Sequence, residues 1–230
     1  MPSTPALPPE RQTERIAPTA LGQAEILADA VVHGIALTAS AVAGIWLLGA
    51  LDPAAGTHVR AMVTVYVAAM AAMFAASALY HTARPGRLKQ IARRVDHALI
   101  FAAIAGTYTP LLALRLTAPF GDMLCLSAWL IAGIGIALKI AAPRRAEKPG
   151  TALYLALAWA GLAVAIPLGE ALQPLTSGLI IGGCLIYTAG ASAYRARHFR
   201  YQTVLWHASV LVAASVHFTA MAVEFTPAVA

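Results

Sequence analysis

Residues 61–83 read AMVTVYVAAMAAMFAASALYHTA, 23 positions without one Lys, Arg, Asp or Glu, closed by Arg60 on one side and Arg84 on the other. A helix needs about 20 such residues to cross a hydrocarbon core of about 30 Å. The same kind of run recurs along the chain. Between Asp29 and Asp52 lie 22 uncharged residues, and further runs occupy 97–114, 123–138, 149–169, 171–194 and 201–223. Six of the seven runs are long enough as they stand. Run 123–138 is short, and Lys139 can snorkel to carry the span to about Ala142. None of the runs alternates as a segment of about 10 residues in a membrane β-barrel would. The fold predicted is all-α, a polytopic integral membrane bundle of seven transmembrane helices.

Composition agrees. Of the 230 residues 60% are hydrophobic and 11% charged, and the mean hydropathy is +0.72. Soluble domains average about 25% charged residues, so 16 basic and 10 acidic side chains cannot cover a water-soluble surface of this size. A soluble enzyme, a disordered chain and a nucleic-acid reader are all disfavoured.

Orientation follows from the basic residues. With the N-terminus cytoplasmic, all of the 16 except Arg60 and Arg115 fall in cytoplasmic segments, around 11–15, 84–94, 139–148 and 195–200. That bias places the N-terminus inside and the C-terminus outside. It also accounts for the +6 net charge as orientation, with a nonspecific attraction to anionic lipid, rather than as a nucleic-acid signal. Residues 1–25, with five prolines from Pro2 to Pro18, read as a mobile cytoplasmic leader. The membrane domain spans 26–226, and 227–230 form a short tail. No cleavable signal precedes the first span, which therefore directs insertion. Cys125 and Cys184 fall inside spans and read as packing.

Polar side chains at membrane depth are expensive, so their positions are informative. On helix one Glu25, Asp29 and His33 recur every four residues and share a face. Helix two ends with Ser77 and His81, helix three opens with Asp96 and His97, and helix seven opens with Thr203 and His207. The topology puts Asp29, His33, Ser77, His81, Asp96 and His207 within about two turns of the cytoplasmic face. Imidazole and carboxylate at one depth are what zinc takes, commonly as three protein ligands with an open position. Zinc so held makes water nucleophilic near neutral pH and polarises a carbonyl, the chemistry of ester or amide hydrolysis. The plainer alternative is that each group hydrates at the interface, with Asp96 paired to Arg93 or Arg94. His217 lies ten residues past His207, about 15 Å along the axis, and reads as a hydrogen-bonded interior histidine.

Pro110, in the run Gly106-Thr107-Tyr108-Thr109-Pro110, leaves the Gly106 carbonyl without its helical donor, so a kink or a cavity wall is expected. Thr107 or Thr109 can satisfy freed backbone groups. Gly178 and Gly182 form a small-xxx-small pair on helix six, a packing face that serves inside one bundle or between protomers.

At these residues the chain resembles the hemolysin III family, which groups with the progestin and adiponectin receptor proteins and more distantly with alkaline ceramidases. The resemblance covers about 25–225. It rests on Ser77-Ala78-Leu79-Tyr80-His81, on Arg94-Val95-Asp96-His97 leading into Gly106-Thr107-Tyr108-Thr109-Pro110, and on Trp206-His207 with Val216-His217-Phe218. It implies zinc as cofactor, with His81 and His207 as metal ligands, Asp96 as base or ligand, and Ser77 as a supporting donor. The wider superfamily has His-x-x-x-His on helix seven, and here the first of those positions is Thr203. Either Asp96, Asp29 or His33 completes the site, or the metal is bound weakly or not at all.

Three functions stay open. The first is a zinc-dependent intramembrane hydrolase of a lipid amide or ester, or a membrane-homeostasis protein on the same fold. The second is a non-catalytic, lipid-sensing receptor-like protein. The third, lysis by pore formation, would need a soluble state that seven apolar helices oppose. The partners expected are membrane lipids, with a homo-oligomer left open and no nucleic acid. The location expected is a bacterial cytoplasmic membrane.

Overall fold

The structure, a computed structural model, describes residues 22–141, 153–160, 171–196 and 199–227. Every regular element among them is helical. They are α1 (Gln23–Ala50), α2 (Thr57–Thr82), α3 (Arg87–Arg115), α4 (Phe120–Ala141), α5 (153–160), α6 (Pro174–Ala196) and α7 (Gln202–Phe225). Six of these, all except α5, are long and apolar enough to span a bilayer. The predicted fifth span, 149–169, is described only over residues 153–160, which are helical. Most of the expected leader, residues 1–21, and the last three residues lie outside the described residues.

Helix α3 begins ten residues before its charge-free run. Its first two turns carry Arg87, Lys89, Arg93 and Arg94, which are compatible with a helix that stands clear of the apolar layer. Absence of charge therefore marks the apolar part of the helix and misses its polar start. Further in, α3 is the most enclosed helix of the bundle: residues 105–112 are all buried, so no face of that stretch meets lipid. Pro110 is accommodated within the continuous helix. Thr107 and Thr109 do not reach the Gly106 carbonyl. Their hydroxyls donate to the carbonyls of Ala103 and Ala105, each at 2.8 Å. Thr109 in turn accepts a hydrogen bond from Trp129 Nε1 of α4 at 2.9 Å.

The helices close a ring in which α3 is one member. Helix α1 packs on α2 and on α7, α2 on α3, α3 on α4, and α6 on α7. The stretch α5 completes the circuit. Its Leu157 packs with Phe101, Ala105 and Ala132, Tyr154 donates to the His97 carbonyl at 2.8 Å, and Trp159 Nε1 donates to Thr188 of α6 at 3.0 Å. Lys139 departs from expectation. It is buried, with its ammonium 5.2 Å from the Tyr154 ring centre, and is turned into the bundle rather than snorkelling outward.

Small residues set the helix separations, as they do where packing rather than a hydrophobic gradient holds membrane helices together. A Cβ on Gly106 would meet Ala69 of α2 at 2.6 Å, and one on Gly44 would meet Val67 at 2.5 Å. On α6 the close approaches fall at Gly183, against the His217 ring, and at Gly190, against Ser209. Gly178 and Gly182 face open space among the described residues, so the small-xxx-small pair is not the contact between α6 and α7.

Candidate metal centre

The starts of α1, α3 and α7 and the end of α2 lie at one end of the bundle, and Asp29, His33, His81, Asp96 and His207 gather there. The stripe on α1 organises them. Glu25 stands in the first turn and uses both carboxylate oxygens. Oε2 accepts from the Gly22 N–H at 2.9 Å, and Oε1 accepts from the Tyr201 N–H at 2.6 Å. Tyr201 is the N-cap of α7 and has a left-handed backbone, φ 63°. The carboxylate of one helix thus caps the other and fixes their register, using orphan donors that every helix start leaves.

One turn further along α1, Asp29 reaches two more helices. Its Oδ1 lies 2.6 Å from His207 Nδ1 of α7, and its Oδ2 lies 2.8 Å from His81 Nδ1 of α2. A turn beyond, His33 brings a third imidazole to the same place. The ring centres of His33, His81 and His207 are 4.3–4.7 Å apart in each pair. Asp29 and His33 are only 4% and 3% exposed, a depth at which polar groups persist only with partners. One ligand atom from each of Asp29, His33, His81 and His207 can be chosen so that all four lie within 4.8 Å of one another.

The donor set suits a borderline metal such as zinc, which takes neutral imidazole nitrogen and carboxylate oxygen. At Zn–N distances of about 2.0–2.1 Å, tetrahedral ligand atoms stand about 3.4 Å apart. The separations here reach at most 4.8 Å, about 1.4 Å wider than that, so the side chains would draw together around an ion. A second observation agrees with the fit. His33 Nε2 is buried without a hydrogen-bond partner among the described residues, and Asp29 Oδ2 at 3.6 Å is beyond hydrogen-bond range.

Both imidazoles expected as metal ligands, His81 and His207, are therefore brought together. Asp29 and His33, expected only as alternatives for the third position, join them. Asp96, expected as base or ligand, is buried outside the group of four, its Oδ2 3.3 Å from His97 Nδ1. The two places are linked by Tyr80, whose ring centre lies 4.6 Å from that of His81 and 6.2 Å from that of His97. Ser77, expected as a supporting donor, lies half-buried one turn before His81 on α2. Thr203 sits in the first turn of α7, one turn before His207. His217 is an interior histidine as predicted. It is buried, with Nε2 3.1 Å from the Ile180 carbonyl oxygen and its ring 5.7 Å from that of Tyr187.

Comparison with known proteins covers the same ground. The family model described as Haemolysin-III related matches residues 25–218, from Glu25 past His217. Hemolysin-3 of Bacillus cereus is 30% identical over 194 residues, which are 84% of this chain and 89% of that protein. The hemolysin-3 homolog of Bacillus subtilis (strain 168) is 28% identical over 194 residues, 84% of this chain and 91% of that protein. The motifs on α2, α3 and α7 that carried the resemblance lie inside the family match, and the chain belongs to the haemolysin-III-related family of membrane proteins.

Proposed function

We propose that the chain binds one zinc ion at the cluster on α1, α2 and α7, and that it hydrolyses an amide or ester of a membrane lipid there. The observation that carries the reading is the convergence of three imidazoles and a carboxylate, from three helices, at one end of a membrane-spanning bundle. Zinc supplies a polarised carbonyl and a nucleophilic water near neutral pH. His81 and His207 hold the metal. Ser77, a turn from His81, would donate a hydrogen bond to the substrate oxygen, and Asp96, which lies beside His97 on α3, would serve as the base. The membrane is a bacterial cytoplasmic one, and the positive-inside bias puts the cluster near its cytoplasmic face.

Zinc per protein in detergent, measured for wild type, His81→Ala and His207→Ala, is the first test. About one zinc in wild type, lost from both folded variants, supports the reading and warrants assay of lipid amides and esters. No zinc after incubation with the metal removes it. The effect of Asp96→Asn and Ser77→Ala on turnover with zinc content retained would then assign their roles.

A second reading, a lipid-sensing protein without turnover, draws on Asp29. Its carboxylate already ties α1 to α2 and α7 through two imidazoles, so the polar layer can act as a clasp. Saturable lipid binding without hydrolysis would favour it. The relatives' name records hemolysis. For this chain, dye leakage from liposomes that is insensitive to His81→Ala would identify lysis as independent of the cluster.

A further inference from the structure

We infer that His33 of α1 is the third imidazole ligand of the metal site, in place of the nitrogen that Thr203 does not provide on α7, and that Asp29 is the positioning residue that orients the other two. The inference rests on the zinc reading above and goes beyond it by moving one ligand from one helix to another.

The starting point is the role of Asp29. Each of its oxygens is already engaged by a different ring, Oδ1 by His207 Nδ1 at 2.6 Å and Oδ2 by His81 Nδ1 at 2.8 Å. At these lengths the imidazoles donate N–H and the carboxylate accepts. A ring that donates through Nδ1 carries its lone pair on Nε2. That is the arrangement in which a carboxylate fixes the tautomer and direction of a metal-binding histidine. The carboxylate is thus occupied in holding two ligands and is poorly placed to be one.

His33 is in the opposite condition. Its Nε2 is buried, has no hydrogen-bond partner among the described residues, and belongs to the ring triplet with His81 and His207. A polar atom left unpaired at this depth is costly, so its place calls for an occupant. Thr203 supplies a hydroxyl where an imidazole is expected, a weak donor to zinc by comparison.

The backbone explains how α1 can do this. Helices α1 and α7 start at the same end, and the bond from Tyr201 N to Glu25 sets their register at 2.6 Å. From that point His33 lies eight residues along α1, about 12 Å, and His207 lies six residues along α7, about 9 Å. The two rings therefore arrive at nearly the same depth.

The test uses the full-length protein in detergent, with zinc content and zinc affinity measured by chelator competition. Wild type, His33→Ala, His33→Gln, Thr203→His and the double variant His33→Ala/Thr203→His are compared, with folding checked by circular dichroism. We expect about one zinc in wild type, an affinity lowered by about 100-fold or more in the His33 variants, and recovery to within about tenfold in the double variant. The visible spectrum of the cobalt-loaded protein should change with the His33 variants as the ligand set changes. Wild-type zinc retained at full affinity in folded His33→Ala would overturn the inference while leaving the zinc reading intact. Absence of zinc from wild type would overturn both. Should neither single His33 variant fold, the double variant decides: folded with zinc supports the ligand exchange, and unfolded or metal-free overturns it.

Discussion

At the end of the bundle away from the cluster, α3 and α7 are joined by an ion pair whose removal should be measurable. Arg115 Nε lies 2.6 Å from Glu224 Oε1, and the guanidinium also donates to the Glu224 carbonyl and packs 4.9 Å from the centre of the Phe225 ring. The second carboxylate oxygen, Oε2, accepts the Gln173 N–H at 3.2 Å, so the pair also holds the turn that enters α6. Breaking a buried pair by removing one partner costs about 3–5 kcal/mol. The Glu224 side chain is 3% exposed, but that of Arg115 is 35% exposed, which admits solvent and weakens the pair. We therefore expect Arg115→Ala to destabilise the protein by about 2–3 kcal/mol, including the lost contact with Phe225. Glu224→Gln keeps the shape and an acceptor for Gln173 and should cost about 1–2 kcal/mol. Because the same interaction is lost in both, the double variant should fall short of the sum by about 1–2 kcal/mol. Unfolding in mixed micelles with increasing dodecyl sulfate, followed by circular dichroism, provides the values. Additivity within about 0.3 kcal/mol, or an Arg115→Ala loss below about 0.5 kcal/mol, would refute the argument. Glu224 is 17 residues from His207, about 26 Å along α7, so zinc content should be unchanged in all three variants.

Three further outcomes follow from the packing and the site. Gly183→Val places branched carbons where the buried His217 ring lies, and should lower stability by about 1–3 kcal/mol or more, whereas Gly182→Val, facing open space among the described residues, should be near neutral. Chelation should lower the unfolding midpoint of wild type, since zinc present at about 100 times its Kd adds about 2.7 kcal/mol, and should leave His81→Ala unchanged. In a background with Cys125 and Cys184 replaced by Ser, a membrane-impermeant maleimide should label Arg60→Cys from outside intact cells, and should label Arg87→Cys only after lysis. The reverse pattern would invert the orientation read from the basic residues.

Depth along the membrane was legible in the sequence; direction around each helix was not. Charge-free runs locate apolar segments, and the alternation of crossings then assigns each polar residue a depth. That reasoning placed Asp29, His33, Ser77, His81, Asp96 and His207 in one layer, and four of the six do converge. Which four depends on neighbour relations that periodicity does not encode. Helix α1 packs against both α2 and α7, so a side chain on α1 can meet His81 and His207 together. Asp96 enters from α3, beside α2 and α4, and finds His97 instead. The same limit explains Lys139, whose side chain turns inward beside Tyr154 although α4 does run on to Ala141. One sequence signal did bear on direction, the four-residue spacing of Glu25, Asp29 and His33. A single helical face carrying three polar groups has to meet partners along its whole length, since lipid cannot solvate them. Two helices must stand against that face if a cap, a carboxylate and an imidazole are all to be used. In the structure that face does meet two helices: Glu25 caps α7, and Asp29 reaches His207 of α7 and His81 of α2.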